Sequence, residues 1–362
     1  MGGDDPVVDV APVRPGEELE WDRLEAYLRS QLPDLSGPFT VLQFPNGSAN
    51  LTYLVRIGGQ DLVVRRPPFG QLAPGAHDMR REFRALDALS RHFDRAPRPY
   101  LFCDDHDVIG SDFLVVEYRR GVVAWDVVPA SMAHHHDAAR RIGMAVVDAL
   151  ADLHLLDPDA IGLGELGRPV GFVERQVTGW AKRWELVDAG RVPEMAAVGA
   201  RLAESIPPVG GRRVSSVLHN DFKIDNCQFD PADPDRVRSI FDWDMATLGD
   251  PLVDLGTLLN YWPDPSDVDG DRPLHVPGME HMGLPSRGEV VARYADRTGF
   301  DVSSVAWFEA FATWKTAVVL EQLYQRHVRG ESTDPRMAER GEPVARMARR
   351  AGVLLDRLLA SS

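Results

Sequence analysis

Cysteine, long apolar runs and positive charge are all scarce in this sequence, and each scarcity argues against a class of protein. Its two cysteines, Cys103 and Cys227, lie far apart, which argues against a disulfide framework and against a Cys-x-x-Cys metal site. No run of about 18 apolar residues occurs, so a membrane-spanning helix is not expected. The formal net charge of −15 disfavours nucleic acid as a partner, because phosphate backbones bind basic surfaces.

A secretory signal is not expected either, and several catalytic motifs do not occur. Residues 1–17 open with small and acidic residues and contain no apolar core, which argues against a secretory signal and makes a cytoplasmic location the default expectation. The patterns GxxxxGK[ST], GxSxG and HExxH do not occur. The segment Gly162–Gly167 matches GxGxxG, but it follows a predicted helix rather than a strand and does not indicate a dinucleotide site.

The composition is that of an ordinary globular protein with room for two lobes. Hydrophobic residues make up 44% and charged residues 26% of the 362 positions. Alternating patterns and turn residues predict an N-terminal antiparallel sheet, and helical periodicity takes over near residue 119. We predict an α+β fold with a tail and short helix over 1–36, a small β-rich lobe over 37–118 and a larger, mainly helical lobe over 119–362.

The individual elements follow from the same patterns. Strands are predicted at Phe39–Phe44, Leu51–Ile57, Asp61–Arg65, Arg98–Cys103 and Phe113–Glu117. Helices are predicted at Leu19–Leu32, at Met79–Phe93, from about Asp137, at Phe172–Ala189, around Trp307–Val318 and at Val344–Leu359. The segment Trp262–Arg287, rich in Pro, Gly, Asp and His, breaks the helical pattern, and a lid and an inert insertion are equally good interpretations of it.

The segment Val217–Asp254 carries residues that suit phosphoryl transfer. Asn226 lies five positions after Asp221, and Asp242 lies 21 positions after it, with a predicted hairpin between them that folds Asp242 back beside Asn226. Asp221 suits the group that orients an acceptor hydroxyl and takes its proton, and Lys223 suits the cation that meets the transferred phosphate. Asn226 and Asp242 offer the hard oxygen ligands that Mg²⁺ prefers.

The competing interpretation is that a segment rich in Asp and Asn is only a turn, which is the usual role of such residues. Three motifs argue against it: His219–Asn226, which we call the catalytic loop, Asp242–Asp244 and Gly249–Leu255. On these motifs the chain resembles the aminoglycoside phosphotransferase/choline kinase-like family, small-molecule relatives of the protein kinases, over most of residues 37–330.

A branch within that family is also indicated. The strand end Val64–Pro68 and the pattern of Arg, Trp and Glu residues over Arg175–Glu185 are similar to the branch that includes kinase-like domains fused to acyl-CoA dehydrogenases. The resemblance implies a protein-kinase-like, two-lobed fold that uses ATP and Mg²⁺. It also implies that Asp254 braces the catalytic loop.

The resemblance assigns roles in the small lobe. It places Ser48 in the turn that covers the nucleotide phosphates. It places Arg65 where relatives usually carry a lysine that touches those phosphates and pairs with a helix glutamate, here Glu82. Arginine can still bind phosphate through two hydrogen bonds. Arg66 competes for this role, but strand alternation predicts that its side chain points the other way.

Glu117 and Tyr118 fall at the junction of the two lobes, where the resemblance implies that backbone groups meet the adenine edge. The expected function is an ATP- and Mg²⁺-dependent transfer of the γ-phosphate to a hydroxyl of a small molecule. The acceptor is either an aminoglycoside, for which the acidic segment Asp264–Asp271 offers a pocket, or a hydroxyacyl-CoA. The alternative is a nucleotide-binding pseudokinase or regulatory module without transfer activity. The oligomeric state is not indicated.

Overall fold

The computed structural model describes residues 10–45, 50–70, 78–187, 190–209, 213, 215–267, 274, 276–331 and 334–361. An antiparallel sheet dominates the N-terminal part of the chain, and helices dominate the rest. Among the described residues, no helix is both long enough and apolar enough to cross a membrane.

The N-terminal sheet has five antiparallel strands in the order β1-β2-β3-β5-β4. They are β1 (Phe39–Gln43), β2 (Leu51–Ile57), β3 (Gln60–Arg66), β4 (Pro99–Cys103) and β5 (Phe113–Glu117). The helices of this part are α1 (Trp21–Gln31), α2 (Met79–Leu89) and α3 (His106–Ile109). Gly58, in the turn between β2 and β3, has a φ of 60°, a left-handed conformation that glycine adopts at little cost.

Alternation along β5 separates two apolar clusters. Phe113 and Val115 belong to the cluster that includes α1, whereas Leu114 and Val116 belong to the larger cluster that includes α2 and the helical part of the chain. Successive side chains on a strand point to opposite faces. One face of the sheet is therefore covered by α1, and polar side chains on the other face point toward the helical part.

The helical part surrounds two small sheets. Its helices are α4 (Ala138–Leu155), α5 (Phe172–Glu185), α6 (Glu194–Glu204), α7 (Leu252–Asn260), α8 (Arg287–Thr298), α9 (Val305–Val328) and α10 (Val344–Ser361). One sheet has the order β6 (Val122–Val123), β8 (Cys227–Asp230) and β9 (Asp233–Ile240); the other pairs β7 (Ser216–Leu218) with β10 (Thr247–Gly249). Helix α9 packs against α7 and α10, and its aromatic residues Trp307, Phe311 and Trp314 are buried.

Two predicted helix ends are wrong by a few residues. Helix α2 ends at Leu89 rather than Phe93, and α5 ends at Glu185 rather than Ala189, which lies outside the described residues. Phe93 is nevertheless buried, and its N–H donates to Leu89 O at 2.7 Å in a further turn of chain. Apolar spacing therefore continues past the end of the helix, so spacing alone misplaced the boundary.

The segment Trp262–Arg287 is held together at its ends. The Trp262 indole N–H donates to Pro285 O at 2.8 Å. The Arg287 backbone N–H donates to Asp264 Oδ2 at 2.6 Å, and its Nη1 donates to Asp267 Oδ2 at 3.1 Å. Asp264 and Asp267 are thus engaged with Arg287, which weakens the expectation that they form an acidic pocket for a cationic acceptor. Positions 268–273 and 275 of the segment lie outside the described residues.

Candidate active site

The β8–β9 hairpin brings the two predicted metal ligands to one place. Asn226 ends a short 3-10 turn directly before β8, and Asp242 follows β9 after a single intervening residue, Phe241. The Phe241 N–H donates to Asn226 O at 2.9 Å, so the two arms of the hairpin are paired up to the site. Asp242 has a φ of 66°, a left-handed conformation that is uncommon outside glycine and is found repeatedly at functional sites.

Asp254, in the first turn of α7, braces the backbone of the catalytic loop. Its buried carboxylate accepts the N–H groups of His219 and Asn220, both at 2.7 Å. His154 Nε2 lies 3.2 Å from the same carboxylate, and His154 Nδ1 lies 2.7 Å from the hydroxyl of Tyr294. A buried carboxylate needs such partners, because an unpaired one is costly. The loop is therefore tied to α4, α7 and α8.

Asp221 and Lys223 lie side by side at the centre of the loop. Lys223 Nζ lies 3.4 Å from Asp221 Oδ2 and 3.8 Å from Asp225 Oδ2, over the ring of Tyr261. Burial by itself lowers the pKa of Lys223, but the charges of Asp221 and Asp225 outweigh it and raise that pKa above its ordinary value. The ammonium group therefore stays charged at neutral pH, as a cation for a phosphate must.

The amide of Asn226 is oriented from the same loop. Its Nδ2 donates to Asp221 O at 2.9 Å, which fixes the side chain and leaves Oδ1 as the atom that suits a cation. His219 also acts within the loop: its Nε2 lies 2.6 Å from Phe241 O, and its Nδ1 lies 3.3 Å from the Asp221 N–H. These contacts place His219 as a packed support of the hairpin.

Arg65 on β3 joins the sheet to the hairpin. Its Nη2 donates to Asp242 Oδ1 at 2.6 Å, and its Nη1 lies 3.4 Å from Glu82 Oε1 on α2. Arg66 faces the opposite side of the sheet, where it stacks over Phe69 and donates to Pro67 O. Alternation along the strand therefore gives the two neighbouring arginines different surroundings, and Arg65 is the one in the site.

Three carboxyl groups lie close to Arg65, and their pKa values differ. Burial raises the pKa of Glu82 to about 8 despite the opposing charge of Arg65, and burial together with the charge of Asp242 raises the pKa of Asp244 to about 7. Burial also acts to raise the pKa of Asp242, but the charge and hydrogen bond of Arg65 outweigh it and hold that pKa below its ordinary value. Asp242 is thus an ionised carboxylate in a site with more acids than bases.

The donor set suits a magnesium ion shared with phosphates. Within the described ranges, no three His, Cys, Asp or Glu side chains form a metal cage of their own. Mg²⁺ is commonly held by one or two carboxylates together with substrate phosphates and water rather than by a complete protein cage. Asp242 and the Asn226 amide oxygen fit that pattern, and the clustered acids beside them favour a cation.

A cavity of about 620 Å³ lies between the sheet and the hairpin. The residues that line it include Arg65, Glu82, Glu117, Tyr118, Lys223, Asn226 and Asp242, together with apolar residues such as Val63, Leu86 and Phe241. An apolar cleft with a few converging polar groups is the usual form of a nucleotide or small-molecule site. The Glu117 carboxylate is engaged at the rim of this cavity, accepting from Arg98 N at 3.1 Å and from Arg119 Nε at 3.0 Å.

Some residues of the site were not predicted from the sequence, and one predicted residue cannot be compared with the structure. Ser48 lies outside the described residues, so the expected role of its turn stays a prediction. Asp244 belongs to the motif Asp242–Asp244, but the sequence alone indicates no role for it; its Oδ2 accepts from Asn50 Nδ2 at 3.2 Å. Lys315 on α9 donates to Asn220 of the loop, 95 positions away in sequence, and no local pattern marks it.

The chain matches a protein-family model and curated proteins over most of its length. A family model described as the phosphotransferase enzyme family matches residues 40–308. Acyl-CoA dehydrogenase family member 11 of Mus musculus is 32% identical over 333 residues, which cover 90% of this chain and 42% of that protein. The chain therefore spans less than half of this curated relative.

Solved structures resemble most of the chain. A crystal structure from Ralstonia eutropha, provisionally named an aminoglycoside phosphotransferase, has 27% identity and a TM-score of 0.76 and covers 94% of this chain and 99% of its own. A thermostable mutant of aminoglycoside phosphotransferase APH(4)-Ia with ADP and hygromycin B has 17% identity, a TM-score of 0.57 and coverages of 93% and 99%. The predicted kinase-like α+β fold is thus confirmed.

Proposed function

We propose that this chain, which belongs to the phosphotransferase enzyme family, transfers the γ-phosphate of ATP to a hydroxyl group of a small molecule in a Mg²⁺-dependent reaction. The observation that supports this most is that Arg65, Lys223, Asn226 and Asp242 line one cavity, with the Asp221 carboxylate beside Lys223. Phosphoryl transfer needs little covalent help from a protein, and positioned charges are its main requirement.

Each residue has a distinct part in the proposed reaction. Asn226 and Asp242 would hold Mg²⁺, which neutralises phosphate charge when bound. Arg65 donates to the nucleotide phosphates, and Lys223 meets the phosphoryl group as it moves. Asp221 orients the acceptor hydroxyl and takes its proton, which is the usual role of a carboxylate base in this chemistry.

A hydroxyacyl-CoA is the acceptor that we favour over an aminoglycoside. Aminoglycosides are polycations and would need unpaired carboxylates, whereas Asp264 and Asp267 are engaged with Arg287. The kinship with proteins named for acyl-CoA dehydrogenase activity supports an acyl thioester. The chain matches only part of those relatives, so the acceptor has to be tested on this chain directly.

The function can be tested by ADP release from Mg-ATP with matched acceptors. We expect a hydroxyacyl-CoA to stimulate ADP release, the same acyl-CoA without the hydroxyl to give none, and EDTA to abolish the reaction. Kanamycin and hygromycin B form the competing arm. Stimulation by these alone would assign the aminoglycoside acceptor. Calorimetric binding of ATP without stimulation by any acceptor would instead support a nucleotide-binding module without transfer activity.

The role of Arg65 can be tested by Arg65→Ala. A hydrogen bond to a charged group contributes about 1.5–3 kcal/mol, so losing the phosphate contact is expected to raise the KM for ATP at least about tenfold. Arg65→Lys keeps the charge and should recover part of the affinity. Arg66→Met is the matched control and should leave the KM for ATP within about twofold, although it loses packing against Phe69. Equal effects of Arg65→Ala and Arg66→Met on KM would contradict the assignment.

A further inference from the structure

Lysine is rare in this chain, and two of its lysines lie at the catalytic loop. The sequence contains three lysines, Lys182, Lys223 and Lys315, and 37 arginines. Lys223 lies within the loop, and Lys315 reaches it from α9. The proposed reaction gives a role to Lys223 but none to Lys315.

Lys315 contacts Asn220, the residue that precedes Asp221. Its Nζ donates to Asn220 O at 3.2 Å and to Asn220 Oδ1 at 3.3 Å. Asn220 has a φ of 67°, a left-handed conformation that costs free energy outside glycine and persists where the surroundings hold it. Asp254 holds the N–H of the same residue, so Lys315 and Asp254 hold Asn220 from two sides.

The surroundings of Lys315 mix apolar and charged groups. Its Nζ lies 5.6 Å from the centre of the Trp180 ring, over which Arg183 also stacks. Burial lowers the pKa of Lys315, and the charges of Asp221 and Asp254 act in the opposite direction. Lys315 is partly buried, and its hydrogen bonds to Asn220 compensate the cost of keeping an ammonium group away from water.

We propose that Lys315 is a positioning residue of the transfer reaction: by holding Asn220 in its left-handed conformation, its ammonium group aims the carboxylate of Asp221 at the acceptor hydroxyl. This inference rests on the proposed function. A compact ammonium with rotatable donors serves both oxygens of Asn220, whereas a planar guanidinium presents its donors in a fixed fork. This difference suits a lysine at this position in a chain in which arginine predominates.

The test compares Lys315→Met with Lys182→Met, a change of the exposed lysine on α5. The measured quantity is ADP release in the presence of the hydroxyacyl-CoA or of another acceptor that proves active. If no acceptor is active, ADP release by hydrolysis of ATP is measured instead. Lys315→Met is expected to lower kcat about tenfold or more, because small misplacements of catalytic groups are costly, and to leave the KM for ATP within about twofold. The melting temperature is expected to change little, because the loss of two hydrogen bonds to Asn220 is offset by the removal of a partly buried charge. Lys182→Met should match the wild type.

A second comparison separates positioning from a general structural role. In an Asp221→Asn background, Lys315→Met should change the remaining rate less than about twofold, because the residue through which it acts is already disabled. If Lys315→Met lowers kcat by the same factor in both backgrounds, the inference is overturned. An unchanged kcat in the single variant overturns it as well. If Lys315→Met does not fold, Lys315→Gln takes its place in the same two backgrounds, with the same criteria.

Measurements on the wild-type protein separate a failure of the proposed function from a failure of the positioning role of Lys315. Wild-type protein that releases no ADP under any condition contradicts the proposed function. Wild-type activity that Lys315→Met leaves intact contradicts the positioning role alone.

Discussion

Asp221→Asn is expected to lower kcat for acceptor-stimulated ADP release by about a hundredfold or more, while the KM for ATP stays within about twofold. Asparagine has the shape of aspartate but cannot take the proton of the acceptor hydroxyl. The contacts that shape the loop here involve the backbone of Asp221: its N–H faces His219 Nδ1, and its carbonyl accepts from Asn226 Nδ2. Both contacts survive the substitution, so the loss reports on chemistry rather than on folding.

The control for this variant is Asp235→Asn. Asp235 is an exposed carboxylate on β9 that pairs with Arg141 outside the cavity. It has the same chemistry as Asp221 but lies away from the catalytic loop, and its variant should retain the wild-type kcat. Initial rates at saturating Mg-ATP and acceptor give the comparison. A wild-type rate from Asp221→Asn would remove Asp221 as the base and with it the proposed mechanism.

Arg350→Ala is expected to destabilise the protein by about 3–5 kcal/mol, because it breaks a buried ion cluster and removes the guanidinium that donates to Glu309. Arg350 on α10 is 3% exposed, and its Nη2 donates to Glu309 Oε1 on α9 at 2.6 Å. Its Nη1 lies 3.7 Å from Asp267 Oδ1, and Asp267 is in turn bound by Arg287. The cluster therefore joins the segment Trp262–Arg287 to α9 and α10, and its loss removes contacts from all three.

Urea unfolding followed by circular dichroism measures this effect, with the midpoint expected to fall at constant slope. Arg349→Ala is the matched control, since Arg349 is the exposed neighbour on the same helix and surface changes usually shift stability by less than about 0.5 kcal/mol. A loss below about 1 kcal/mol for Arg350→Ala would show that the carboxylates find other partners. Kinetic constants at low temperature should be nearly unchanged, because the cluster does not line the cavity.

Local patterns were sufficient for most of the fold. The strands Leu51–Ile57 and Phe113–Glu117 match their predicted bounds, because alternation and flanking turn residues define both ends of a strand. Helix ends were less well defined, as at Leu89, because apolar spacing continues into the buried turn that follows. The choice of Arg65 over Arg66 also followed from alternation, since a shift of one position reverses the face of a strand.

The sequence by itself determined the fold class and the grouping of the polar residues in the catalytic loop, because both depend on residues that are close together in the chain. Asp221, Lys223 and Asn226 fall within six positions, and a single hairpin brings Asp242 back to them. Only the tertiary structure decided which distant groups support that loop and which acids remain for a ligand. Lys315 meets Asn220 across 95 positions, and His154 meets Asp254 across 100. Such contacts arise from helix packing in three dimensions, for which no local spacing in the sequence is a sign.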